Sequence, residues 1–181
     1  MRWRFRLARL VYEISSRSPR EFPKEFPREF PMKDPQAPVK TPCIGICSTT
    51  SVGDWVCRGC KRYSTEVIGW ISFGEEEKAA VMRRIEKLNT QILQEKFAID
   101  SEEELRAGLR RLSVPYDPAL SPYCWLHNLL KKAHHRIGTL EGLGVSVRPD
   151  FAGLSMGQLE QQVEQEILAL TQAHAERYRV T

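Results

Sequence analysis

The chain has 181 residues, 41% of them hydrophobic and 28% charged, with a formal net charge of +4. That length suits one ordinary domain, or a small domain with a helical companion. No stretch reaches the roughly 18 uninterrupted apolar residues of a membrane-spanning helix, and residues 1–15 lack the apolar core and small-residue cleavage site of an export signal.

The excess charge is local. Met1–Pro31 carries eight Lys or Arg and four Glu, whereas residues 32–181 carry nineteen basic and nineteen acidic residues. A surface that neutralises phosphates needs surplus positive charge in the folded body. Nucleic acid is therefore a weak expectation as partner, and a protein partner of unknown identity is the stronger one.

In chain order, residues 1–40 read as a disordered, low-complexity leader. Met1–Ser15 can be drawn as a basic amphipathic helix, but a disordered tail is the preferred reading. Arg20–Pro31 is three copies of a four-residue unit ending in Phe-Pro, and proline at every fourth position forbids a helix. The natural start is expected at Met32. Residues 41–97 read as a cysteine-rich metal-binding module with a trailing helix. Within it, Ser64–Trp70 is expected as a short helix presenting Val67, Ile68 and Trp70. Ser72 and Glu75 form a candidate capping box ahead of a helix with Met82, Ile85, Leu88 and Ile92 at helical spacing.

Residues 98–181 read as a helical domain. Ser101 and Glu104 cap one helix, striped by Leu105, Leu109 and Leu112. Ser121-Pro122 starts another, with Leu126, Leu129, Leu130, Ala133 and Ile137 on one face and Gly138 as its stop. Ser155 and Gln158 cap the last, with Leu159, Val163, Ile167 and Leu170 buried. No strands are expected, so the fold class is mostly α: a small four-cysteine metal-binding module followed by a helical domain.

The chemistry lies in the cysteines. Four of the five fall in the pattern Cys43-x3-Cys47-x9-Cys57-x2-Cys60, and Cys124 stands apart. Two close pairs joined by a short loop can gather four sulfurs around one ion, with Gly45 and Gly59 inside the turns. Four thiolates so close repel one another without a cation, which makes the metal part of the fold. Clustering without an export signal favours a reducing cytoplasm over disulfides. Zinc suits two such pairs, and an iron–sulfur cluster uses the same four ligands, so the cofactor is one metal centre of either kind. Trp55 and Trp70 are expected to cover it. Cys124, His127, His134 and His135 read as a half-buried thiol and solvated imidazoles. The basic runs at Arg83–Lys87 and Lys131–Arg136 read as solvated helix faces.

Thr41-Pro42-Cys43-Ile44-Gly45-Ile46-Cys47, Trp55-Val56-Cys57-Arg58-Gly59-Cys60-Lys61-Arg62, Ile68-Gly69-Trp70 and the helix from Glu75 together resemble a small bacterial family, domain of unknown function 1289. The resemblance covers about residues 41–90 and all four cysteines. Lys61 stands where glycine is common, and the Ser48–Val56 loop is long. Members are often described as predicted iron–sulfur proteins, so the resemblance implies a metal-bearing cysteine module in a bacterial cytoplasm and supplies no reaction. No phosphate loop, paired catalytic carboxylates or nucleophile elbow is present. The expectation is a non-enzymatic adaptor or accessory factor. An iron–sulfur redox protein and a nucleic-acid-binding zinc module are the alternatives.

Overall fold

The computed structural model describes residues 38–179; the leader expectations and the Met32 start lie outside the described residues. The described part is mostly helical. Two short helices, α1 (Ser48–Val52) and α2 (Ser64–Gly69), flank the second cysteine pair. The body is built from α3 (Glu75–Lys96), α4 (Glu102–Arg111), α5 (Pro122–Ala133) and α6 (Met156–Arg179).

Three glutamates open α3 and favour its positive N-terminal end. The cap is Gly74, not Ser72: the Gly74 amide donates to Glu77 Oε2 at 2.8 Å. Ser72 instead donates its hydroxyl to the carbonyl of Gly69 at 2.8 Å, closing the end of α2. The caps of α4, α5 and α6 fall where the sequence puts them. Ser101 Oγ accepts from the Glu104 amide at 3.3 Å, and Ser121 Oγ accepts from Tyr123 with Pro122 at the first position. The Gln158 amide donates to Ser155 Oγ at 3.3 Å, ahead of α6. α5 stops at Ala133 and continues as a single tight turn, His134–Arg136, so it ends before Gly138.

The expected apolar stripes meet in one core. Leu88, Ile92 and Leu93 of α3 pack with Leu105 and Leu109 of α4, Leu126, Leu129 and Leu130 of α5, and Leu159, Val163 and Ile167 of α6. The helix before residue 97 and the helices after it therefore share one interior. α3 packs on both α5 and α6, and the ion pair Lys96–Glu166 (2.7 Å) ties the end of α3 to α6.

Two strands appear where none was expected. β1 (Phe97–Ile99) pairs antiparallel with β2 (Val145–Val147), with Phe97 opposite Val147 and Ile99 opposite Val145. Gly144, at φ +63°, turns the chain into β2, and its carbonyl accepts the amides of Asp100 and Ser101 at 2.9 and 3.0 Å. This ribbon joins the end of α3 to the start of α4. The cysteine segment then sits on the outer surface of α3 and α6.

Candidate metal centre

The second cysteine pair is held in a closed reversal. Val56 and Tyr63 form an antiparallel bridge, and the Ser64 amide donates to the Trp55 carbonyl at 2.8 Å. Inside it, the Cys57 amide donates to Arg62 O at 2.9 Å and the Lys61 amide donates to Cys57 O at 2.8 Å. The turn puts Lys61 at φ +61°, the left-handed region. Glycine adopts that conformation freely, while an L side chain there costs about 1–2 kcal/mol. Lys61 is thus the residue that the turn strains.

Cys57 and Cys60 are both buried, and their side chains interact. Burial pushes the Cys57 thiol up, but the amides of Cys60, Ser48 and Gly59 aim at its sulfur and outweigh burial, bringing it down to about 6. Burial raises the Cys60 thiol, and Arg62 opposes that by donating Nε–H to Cys60 Sγ at 3.4 Å. Arg62 is itself buried and lies 4.7 Å from the ring centroid of Trp70. Trp70 therefore covers the second pair at one remove, through Arg62. Trp55 is half exposed, less of a cover than expected.

The first pair lies against this turn. Gly45 takes φ +92° between Cys43 and Cys47. A Cβ on Gly59 would meet Ile44 Cδ1 at 2.8 Å, Ile44 Cγ1 at 3.0 Å and the Ile46 carbonyl at 3.3 Å. The middle of one cysteine turn thus touches the middle of the other. Just beyond Cys47, Ser48 Oγ accepts the Arg58 amide at 2.9 Å. Cys47 is half-buried and Cys43 is exposed. Among the described residues, no three His, Cys, Asp or Glu side chains are grouped closely enough to hold an ion. The structure thus brings Cys57 and Cys60 into side-chain contact and sets the Ile44 side chain and the Ile46 carbonyl against Gly59 between them.

Charged residues anchor the turn to the body. Arg84 of α3 lies 3.8 Å from the ring centroid of Tyr63, bonds Glu66 Oε2 at 2.6 Å and reaches the Lys61 carbonyl at 3.4 Å. Glu66 Oε2 also accepts the Tyr63 amide at 2.8 Å. The Lys61 side chain is buried. Its Nζ donates to Arg58 O at 2.5 Å and to Glu164 Oε2 of α6 at 2.6 Å. Glu164 Oε1 meets His127 Nε2 at 2.5 Å, and Lys131 Nζ lies 3.5 Å away. Asn89 Nδ2 lies 3.4 Å from His127 Nδ1.

Two expectations are corrected here. His127 is buried rather than solvated, because its position on α5 faces both α3 and α6. Arg84 and Lys131 are drawn into carboxylate contacts rather than left on solvated faces. Burial lowers the pKa of His127 despite the neighbouring Glu164. A neutral ring protonated at Nε2 donates to Glu164 and accepts from Asn89. Burial pushes the Glu164 carboxyl up, but His127 and Lys61 together hold it well below the carboxylate range. Cys124 takes no part. It is buried on α5, and burial, aided by the charge of Glu86, pushes its thiol up to about 12.

The module also turns apolar groups outward. Ile44, Ile46, Val52, Trp55, Ile68 and Ile71 all stand exposed on it. No helix of the described residues is long and apolar enough to cross a membrane.

Residues 41–89 are thus a pair of abutting cysteine turns with the helix on which they are anchored. That same span, residues 41–89, matches the family described as "Protein of unknown function (DUF1289)". No curated protein matches the chain, and no solved structure does.

Proposed function

We propose that residues 41–70 hold one metal centre on Cys43, Cys47, Cys57 and Cys60, and that the protein acts without catalysis, as a cytoplasmic adaptor or accessory factor. The observation that carries this reading is the amide cradle around Cys57. Three backbone N–H groups aimed at one buried sulfur, enough to bring it down to about 6, favour a thiolate, and the thiolate is the form that binds metal. The contact of Gly59 with Ile44 and Ile46 supports a centre shared by both turns. Arg62 beside Cys60 offsets part of the negative charge that several thiolates bring.

Four thiolates close the coordination of zinc and leave no position for a water, so hydrolytic chemistry at the ion is not expected. The metal's contribution is to folding. The exposed apolar side chains of the module are the groups offered to a protein partner in this reading.

The test is elemental analysis and a visible spectrum of the full chain purified anaerobically. Colourless protein with one zinc per chain is the expected result. Brown protein with charge-transfer bands and a cluster signal on reduction moves the assignment to an iron–sulfur redox protein. Chain that retains neither metal, even after zinc or iron and sulfide are supplied, overturns the reading.

A further inference from the structure

We propose that Arg84 and Lys87 of α3, with His174 and Arg177 of α6, bind the phosphate groups of an anionic ligand at the seam between the two helices. This goes beyond the metal-centre reading and does not rest on it.

The helices set the four groups. Arg84 and Lys87 stand three residues apart on α3, and His174 and Arg177 stand three apart on α6, so each pair shares one helix face. α3 packs on α6, and the ion pair Lys96–Glu166 fixes a point where they meet. From that tie, Lys87 and Arg84 lie nine and twelve residues back along α3, and His174 and Arg177 lie eight and eleven residues on along α6. An antiparallel pair brings such matched distances side by side. Lys87 and Arg177 are exposed, while Arg84 and His174 are half-buried. Burial lowers the pKa of His174, and the charges of Arg177, Arg84 and Lys87 lower it further, so all three reach the imidazole.

The carboxylates nearest in sequence are directed elsewhere. Glu86, beside Lys87, accepts the Ser121 amide at the start of α5 at 2.8 Å. Glu176 stands two residues from His174, on the far side of a helix with about 3.6 residues per turn. Glu66 Oε2 takes one nitrogen of Arg84 at 2.6 Å and also serves the Tyr63 amide. The other two nitrogens of that guanidinium, Nε and Nη1, are buried and have no hydrogen-bond partner among the described residues. The even charge balance of residues 32–181 thus conceals a local surplus of positive charge. Phosphate suits such a group, because its several acceptor oxygens match guanidinium forks and an ammonium at once. A bound phosphate also favours the protonated ring of His174, so binding takes up a proton there.

The experiment uses the full chain with two probes, pyrophosphate followed by calorimetry and a labelled single-stranded RNA followed by fluorescence anisotropy. Both carry the phosphate chemistry, and the tighter one identifies its source: a small phosphorylated molecule if pyrophosphate, a nucleic-acid backbone if RNA. Lys87→Gln and Arg177→Gln should each weaken that probe about tenfold, the lower end for a hydrogen bond to a charged group. Lys132→Gln, at an exposed position on α5, removes the same charge elsewhere and should leave binding unchanged. Proton NMR of the histidine rings should show His174 titrating at higher pH in saturating probe than without it, with His174→Gln identifying the resonance. Binding of neither probe overturns the site. So does binding that survives both Lys87→Gln and Arg177→Gln, which would place it elsewhere, as on the basic residues 1–31. Equal weakening by Lys132→Gln overturns it by reducing the effect to net charge. A His174 titration that the probe leaves unmoved removes the ring from the group and overturns the site as proposed.

Discussion

Gly59→Ala tests whether the two cysteine turns rest on one another. The added methyl would sit 2.8 Å from Ile44 Cδ1, 3.0 Å from Ile44 Cγ1 and 3.3 Å from the Ile46 carbonyl. The two shortest contacts are with a side chain that is 58% exposed and can swing away, whereas the backbone oxygen cannot move so freely. The expected cost therefore lies at the low end for overpacking, about 1 kcal/mol. It should fall on the module and not on the helical core. The assay is protease resistance and hydrogen exchange of residues 41–62, measured for Gly59→Ala, Ile44→Ala and the double variant. Ile44→Ala removes both of the close side-chain atoms, so the double variant should be hurt less than the sum of the singles, with a coupling of about 0.5–1 kcal/mol. Strict additivity would show that the turns do not touch and would remove the main support for a shared centre.

Three further outcomes are expected. Serine at any one of Cys43, Cys47, Cys57 or Cys60 should abolish metal uptake, whereas Cys124→Ser should leave it at the unaltered level; elemental analysis of the five purified variants decides, and metal loss confined to Cys124→Ser would defeat the ligand set. Burial depresses His127 below its ordinary value of 6.5, so the unfolded chain binds its proton first and stability falls as pH drops below about 6.5, levelling once the folded ring also titrates. Glu164, also depressed, adds its own loss at still lower pH, below its ordinary value of 4.5. Urea midpoints at pH 7.5 and 5.5 should separate more for the unaltered chain than for His127→Gln, and equal separations would refute the assignment. Gly144→Ala would place a Cβ 2.3 Å from the Ser101 carbonyl at φ +63°, and urea unfolding should show a loss of about 2–4 kcal/mol; a loss under about 1 kcal/mol would contradict that packing.

The helices were legible because their signals are local. Leu126, Leu129, Leu130 and Ala133 recur at helical spacing and are fully buried, and Ser101 and Ser121 cap where they stand. The reversal at the second cysteine pair was legible from spacing, whereas the left-handed backbone at Lys61 was not read from the sequence. What stayed hidden depends on pairs far apart in the chain. β1 and β2 have three residues each, too short for alternation to show, and each exists because the other pairs with it. The Ser72 cap lost to Gly74 because Ser-x-x-Glu and Gly-Glu-Glu-Glu overlap, and the second puts three acids in the first turn. Nothing local marks Glu164 as the partner of Lys61 or His127. The available hints were weak: His127 sits inside an apolar stripe, and Glu164 directly follows the buried Val163.

The strained lysine has a consequence for how related chains can differ. At φ +61° lysine gives up about 1–2 kcal/mol that glycine would keep, and its buried ammonium needs the counter-charge at 164. The two positions therefore form a single choice written in two places. A chain with glycine at 61 has no ammonium to neutralise, and its acid at 164 would answer only to His127 and Lys131. A chain that keeps the lysine must keep the acid, which lies well beyond residues 41–89, the segment that the family describes. Substitution inside the family segment is thus constrained by a helix outside it. Grafting residues 41–89 onto another body should carry the lysine's burden without its relief, unless glycine is restored at 61.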